Sequence, residues 1–308
     1  MRLRSARQQF RYSRNVIMKK ILVITTGGTI ACETTENGRA PVMGGTELTA
    51  GIKDCEITVK DIFSCDSTDI TPEHWREIYK AVKSTCGYDG IVILHGTDTL
   101  EYTAAVLYYT LSDLGVPVII TGAMIPMSEN NSDGGQNIRD AVTAACDNRL
   151  TGVYAVFCGR IISGGNIIKR RSIDTDAFRS FCGGDCGYIS NSVITINYEA
   201  EKPESITLPE TDRNIAILKL SPFTRELYVP DNYDGVVIES FGAGGIPSVL
   251  SEELKALCKR MTVIITTSCE DGANLREYEV GQRAIALGAI DGREMTTARA
   301  AVSLWLGI

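Results

Sequence analysis

Short apolar runs rich in β-branched residues recur along this 308-residue chain, at residues 21–25, 57–62, 90–94, 116–121 and 153–157. Helical spacing fills the gaps between them. One helix is predicted to open at Thr71-Pro72-Glu73, because threonine caps a helix and proline suits its first position, ahead of Trp75, Ile78 and Tyr79. It is predicted to end near Gly87. Strands alternating with helices predict βαβ units and a parallel sheet.

From Tyr198 to Arg213 the pattern lapses into polar, acidic sequence holding Glu199, Glu201, Pro203, Glu204, Pro209 and Glu210, as a linker would. Apolar runs resume at 215–220, 235–239 and 263–267, around a helix-like stretch at 251–260, and a last helical pattern covers 296–306. The expected fold is α/β: a larger N-terminal domain (18–198) with a mostly parallel sheet flanked by helices, a linker (199–213), and a smaller C-terminal α/β domain (214–308). Residues 1–17, with Arg2, Arg4, Arg7, Arg11 and Arg14, form a basic N-terminal extension expected to be disordered. This stretch lacks the apolar core of a secretory signal, and no run in the chain is long enough to span a bilayer.

Composition narrows the class. With 44% hydrophobic and 22% charged residues the chain is an ordinary globular one. A net charge of −7 disfavours tracking of nucleic acid or an anionic membrane, both of which need a basic surface, and favours a small polar substrate. Ten scattered cysteines form no CxxC pair and no zinc-ligand spacing, so each is expected to be a reduced thiol in a cytoplasmic protein.

In open parallel sheets ligands bind beyond the carboxyl ends of strands. The first strand end is Thr25-Thr26-Gly27-Gly28-Thr29-Ile30-Ala31, where glycines allow close backbone approach and a hydroxyl follows. It matches neither a phosphate-binding loop nor a dinucleotide fingerprint, and a plain glycine turn is the alternative. The third is His95-Gly96-Thr97-Asp98-Thr99-Leu100-Glu101, where Asp98 or Thr97 serves either as a helix cap or as chemistry. His74, in the helix predicted over 73–80 and expected to be solvated, and His95 are the only histidines, and neither sits beside a GxSxG elbow, which leaves little room for a Ser-His-Asp triad. A lysine is another route to hydroxyl activation. Lys169-Arg170-Arg171 would ordinarily be a solvated loop, and its interest depends on the fold bringing Lys169 to Thr97.

Thr26-Gly27-Gly28-Thr29-Ile30-Ala31 and His95-Gly96-Thr97-Asp98-Thr99 resemble the two signature segments of the bacterial-type L-asparaginase family. Asp66-Ser67-Thr68-Asp69, Thr121-Gly122-Ala123-Met124-Ile125-Pro126 and Ser132-Asp133-Gly134 extend the resemblance in the family's order, in the style of its cytoplasmic type I branch. The resemblance implies hydrolysis of L-asparagine to aspartate and ammonia, with Thr29 attacking the amide to give a β-aspartyl ester. It implies Thr97, Asp98 and Lys169 as the second catalytic set. Ser67 and Thr68 would hold the α-carboxylate, Asp98 the α-ammonium, and the backbone at Ala123 the amide group. It implies no metal or organic cofactor, a homodimer or homotetramer, and a separate regulatory region near Thr267, Ser268 and Cys269. The chain departs from the family at Gly38-Arg39-Ala40-Pro41, where members often carry an activating tyrosine at the position of Arg39. The alternatives are a glutaminase-asparaginase, an amidotransferase-type amidase subunit (which would carry an extra N-terminal domain), and an asparagine-binding sensor without turnover.

Overall fold

The computed structural model describes residues 18–35 and 38–308. The expected extension 1–17 and the side chains of residues 34–41, Arg39 among them, lie outside the described residues. In chain order the first elements are β1 (Lys20–Gly27), β2 (Cys32–Thr35), β3 (Gly38–Pro41), α1 (Gly45–Thr49), β4 (Glu56–Cys65) and α2 (Pro72–Lys83). Next come β5 (Gly90–Leu94), α3 (Leu100–Leu111), β6 (Pro117–Thr121), α4 (Gly134–Ala145), β7 (Gly152–Phe157) and β8 (Arg160–Ser163). The N-terminal part closes with β9 (Ile167–Lys169), β10 (Phe178–Ser180), β11 (Gly187–Ser190) and β12 (Val193–Ile196). The C-terminal part holds β13 (Ile215–Lys219), β14 (Gly235–Ser240), α5 (Ser251–Arg260), β15 (Thr262–Thr267), α6 (Glu279–Ala286), β16 (Ile290–Asp291) and α7 (Thr297–Leu306).

The main sheet runs β12-β11-β8-β7-β6-β5-β1-β4, parallel from β4 to β7 and antiparallel beyond. Its inner parallel strands β1, β5, β6 and β7 are buried on both faces, which is why they are largely apolar runs in sequence, whereas the edge strand β4 is partly exposed. The strand period of two sorts their side chains between two cores. Leu22, Ile24, Ile91, Ile93, Val118 and Ile120 pack with α2 and α3, while Ile21, Val23, Val92, Leu94 and Ile119 pack with α1 and α4. From β1 the chain crosses to the edge strand β4 and returns to β5 on the opposite side of β1. The order therefore reverses at β1, and the crevice between its carboxyl end and that of β5 is the topological switch point where such sheets bind ligands.

The second sheet, β13-β14-β15-β16, is parallel throughout, with α5 and α6 on one face and α7 on the other. Helix α7 also docks on the first unit, where Trp305 meets Trp75 edge-on at 5.1 Å and Arg299 Nε donates to Tyr109 Oη at 3.0 Å.

Some details differ from expectation. Helix α2 stops at Lys83, four residues short of Gly87. His74 is half-buried: its Nδ1 accepts the Thr71 backbone N–H at 3.1 Å and its ring packs on Phe63, so it closes the helix start. Residues 199–213 carry no regular element, yet Leu208 is buried in the first core and the Ile206 N–H donates to Tyr109 O at 2.9 Å. This segment is a strap over α3 that fixes the two units together. The β2–β3 hairpin and the antiparallel strands β8, β11 and β12 have short, weakly patterned sequences that give no clear strand signal.

Candidate active site

Three loops meet at the switch point, two of them through a glycine. Gly28 follows β1 with φ 78°, a left-handed conformation that suits glycine. A Cβ on Gly28 would lie 2.3 Å from Gly96 Cα, and one on Gly96 would lie 2.6 Å from Ser67 Cβ. No side chain fits at Gly28 or Gly96. Thr29 and Thr97 are each one residue beyond this contact, so the two glycine-threonine strand ends converge.

Thr29 opens a short 3-10 turn, Thr29–Ala31, and is half-buried between buried neighbours. Thr97 is buried, and Asp98 is exposed just ahead of α3. Lys169 arrives from β9, 72 residues further along the chain, and its Nζ donates to Thr97 Oγ1 at 2.8 Å and to Asp98 Oδ1 at 2.6 Å. A hydroxyl oxygen that accepts from an amine turns its own proton outward. The backbone N–H groups of Thr29 and Thr97 have no acceptor among the described residues.

Ser67 is buried against the same loops. Its Oγ accepts the Asp98 backbone N–H at 3.1 Å, and its carbonyl accepts from Thr99 Oγ1 at 2.7 Å, so its own proton has no acceptor among the described residues. Thr68 is placed differently: it is exposed, and both its N–H and its hydroxyl donate to Asp66 Oδ1 at 2.8 Å. Ala123 is fully buried in the loop after β6, beside Gly122, where a Cβ would lie 2.2 Å from His95 O. The structure thus brings Thr97, Asp98, Lys169 and Ser67 into direct contact, with Thr29 packed through Gly28, whereas Thr68 has its hydroxyl turned to Asp66. Thr267 ends β15 in the second unit, and its Oγ1 accepts the Cys269 N–H at 3.2 Å.

Three residues that hold this geometry are only weakly marked in the sequence. Asp133 occupies the cap position of α4 but spends its carboxylate on the N–H groups of Met124 and Ile125, at 3.1 and 2.9 Å, fixing the loop that carries Ala123. Its place in the Ser132-Asp133-Gly134 segment is the available clue. Glu101 accepts the Lys169 backbone N–H at 3.1 Å. His95 is fully buried, with Nδ1 2.6 Å from Gly96 O and Nε2 3.0 Å from Thr103 Oγ1, which in turn accepts from Trp75 Nε1 at 3.0 Å. Read along that chain, Trp75 donates to Thr103, Thr103 donates to Nε2, and Nδ1–H donates to the carbonyl that precedes Thr97. The imidazole is a neutral brace, and burial pushes its pKa from 6.5 down to about 4.

Between those two values the unfolded chain protonates His95 while the folded protein does not, so stability falls as pH drops from 6.5 to about 4. The imidazole's share of that loss is about 3 kcal/mol. His95→Asn is expected to be less stable at neutral pH but to lack this slope, so that its gap to wild type narrows through the window. Urea titrations at several pH values check this, and a constant gap would show that the buried ring titrates normally.

The described residues contain no group of three or more His, Cys, Asp or Glu placed to hold a metal ion, and no helix long and apolar enough to cross a membrane.

The family model described as "Asparaginase, N-terminal" matches residues 20–202, and that of the "Glutaminase/Asparaginase C-terminal domain" matches residues 215–308. The chain is 36% identical to an L-asparaginase of Thermococcus kodakarensis over 90% of this chain and 89% of that protein. It is 30% identical to L-asparaginase 1 of Escherichia coli K12, over 90% and 88% respectively. A glutamyl-tRNA(Gln) amidotransferase subunit of Methanosphaera stadtmanae is 29% identical over 90% of this chain but 69% of its own length. Among solved structures, the thermostable L-asparaginase from T. kodakarensis superposes with a TM-score of 0.84 at 33% identity, covering 93% of this chain and 92% of that one. A probable cytoplasmic L-asparaginase from Campylobacter jejuni gives a TM-score of 0.79 at 25% identity, covering 94% of each chain.

Proposed function

The chain belongs to the asparaginase family, and from that premise we propose that it is an L-asparaginase, converting L-asparagine and water to L-aspartate and ammonia through a β-aspartyl ester on Thr29. The observation that carries the site reading is the contact of Lys169 Nζ with Thr97 Oγ1 and Asp98 Oδ1 beside the backbone junction of Gly28 and Gly96. Thr29 Oγ1 attacks the carboxamide carbon, and its proton leaves through the Thr97–Lys169 pair to the departing nitrogen, which is released as ammonia. The free N–H groups of Thr29 and Thr97 offer donors to the oxyanion. Water then attacks the ester, releasing aspartate and returning a proton to Thr29.

The remaining groups hold the substrate. Ser67 donates to the α-carboxylate, and Thr68 joins it by turning its hydroxyl from Asp66. Asp98 has a second carboxylate oxygen for the α-ammonium, and the Ala123 backbone meets the amide. No metal or organic cofactor enters this scheme. Arg39 is not the base, because a guanidinium stays protonated. A cytoplasmic homodimer or homotetramer is the expected state. Exposed Phe241 and Tyr278, which rim an apolar cavity of about 390 Å³ in the second unit, are apolar surface that a second copy would cover.

The test is chemical trapping. Acid quench of the enzyme during turnover of L-asparagine, followed by peptide mass spectrometry, is expected to show an aspartyl adduct on Thr29, and an adduct on another residue would overturn the assignment. Parallel ammonia assays with L-glutamine measure selectivity, for which one methylene supplies about 1–3 kcal/mol.

A further inference from the structure

Lys169 reaches the site from a short strand. β9 has three residues and pairs only with β10, in a two-stranded sheet separate from the main one. A four-carbon side chain has many rotamers, so holding its amine to a fraction of an ångström needs its own backbone fixed close to the contact. The missing anchor comes from α3. Glu101, one turn beyond Thr97, accepts the Lys169 backbone N–H at 3.1 Å, while Thr97 and Asp98 take the amine of the same residue. One segment, 97–101, therefore grips Lys169 at both ends.

The second unit meets this grip. Glu239 on β14 lies near enough to Glu101 for the two carboxylates to repel. It is held by Lys219 Nζ at 2.6 Å and by Thr297 Oγ1 at 2.9 Å, at the start of the docking helix α7. We infer that Glu101 is a positioning residue, fixing the backbone of Lys169 so that its amine stays on Thr97.

This rests on the reading of Lys169 given above. The charged groups facing Glu101 are Lys169 from β9 and Glu239 from β14, and the adjacent Tyr102 has its phenol raised by burial and by both carboxylates. Burial raises the Glu101 pKa most, Lys169 opposes the rise, and Glu239 adds to it. A protonated Glu101 is a weaker acceptor for the Lys169 N–H, so kcat falls on the acid side as Glu101 gains its proton.

The experiment is steady-state ammonia release from L-asparagine by the full chain across pH. Glu101→Ala is expected to lower kcat about 30-fold with KM changed less than about threefold, the signature of lost orientation without lost binding. Glu101→Gln keeps an acceptor of the same shape without the charge, so it regains part of kcat, to the level of the wild type at the foot of its acid limb, and flattens that limb. Glu239→Gln removes the like charge and moves that limb to lower pH. Wild-type kcat and pH profile in Glu101→Ala, alongside an inactive Lys169→Met, would overturn this inference alone. A fully active Lys169→Met would overturn the lysine's role and this inference with it. Should Glu101→Ala fail to fold, an acid limb unmoved in both Glu101→Gln and Glu239→Gln overturns it.

Discussion

Thr29→Ala is expected to lower kcat for L-asparagine by about 10,000-fold or more, roughly 5 kcal/mol of transition-state stabilisation, while asparagine still binds. The size follows from the role: without the hydroxyl no ester forms, and what remains is whatever rate the site supports by binding and oxyanion donors alone. The fold should be unaffected. Thr29 is half-buried on a short turn, and the junction that fixes its position is made by the backbone of Gly28 and Gly96. Ammonia release, calorimetric binding of asparagine and circular dichroism on one preparation check all three statements. Undiminished hydrolysis in this variant would remove Thr29 from the chemistry. Thr29→Ser should retain partial activity, because it keeps the oxygen and loses only the methyl group that restricts its rotamer.

Lys169→Met is expected to cost between about 100- and 10,000-fold in kcat, the range for a positioned proton-transfer group. The substitution keeps much of the side chain's length and apolar stem. It also leaves no stranded buried charge, since the Asp98 side chain is 57% exposed and can be hydrated once its partner is gone. A loss of rate without a loss of stability therefore separates chemistry from folding. Thr97→Val, which removes the other end of the 2.8 Å contact, should reproduce most of the effect. The double variant should be little worse than either single one, because the two groups act as a unit. Additive losses would mean that the lysine and the threonine serve separate steps.

The separation of what was legible in the sequence from what was not follows the range of the interactions. The inner parallel strands were visible because burial on both faces writes a largely apolar run. The antiparallel extension was not, since β11 alternates buried with exposed residues and β12 exposed with half-buried ones, over only four positions each. His74 shows the same limit on a smaller scale: its spacing places it in the first turn of α2, where Nδ1 meets Thr71, but the packing of its ring on Phe63, from the preceding strand, is a tertiary contact. Thr68 is a finer case. Its family position suggests a substrate contact, and the neighbouring Asp66 turns its hydroxyl aside.

By itself, the sequence determined the alternation of strands and helices, the two glycine-threonine loops after β1 and β5, and the residue types available for chemistry. These are local or periodic properties, set by backbone sterics and by which face of an element must leave water. Only the tertiary structure decided that β1 is the strand where the order reverses, so that loops distant in sequence touch through glycines that leave no room for a Cβ. It also decided that Lys169 leaves a solvated basic run to reach Thr97, held there through Glu101. Spacing along the chain cannot encode a contact whose two sides are fixed by separate elements. Such a contact exists only once both elements have packed against the same core.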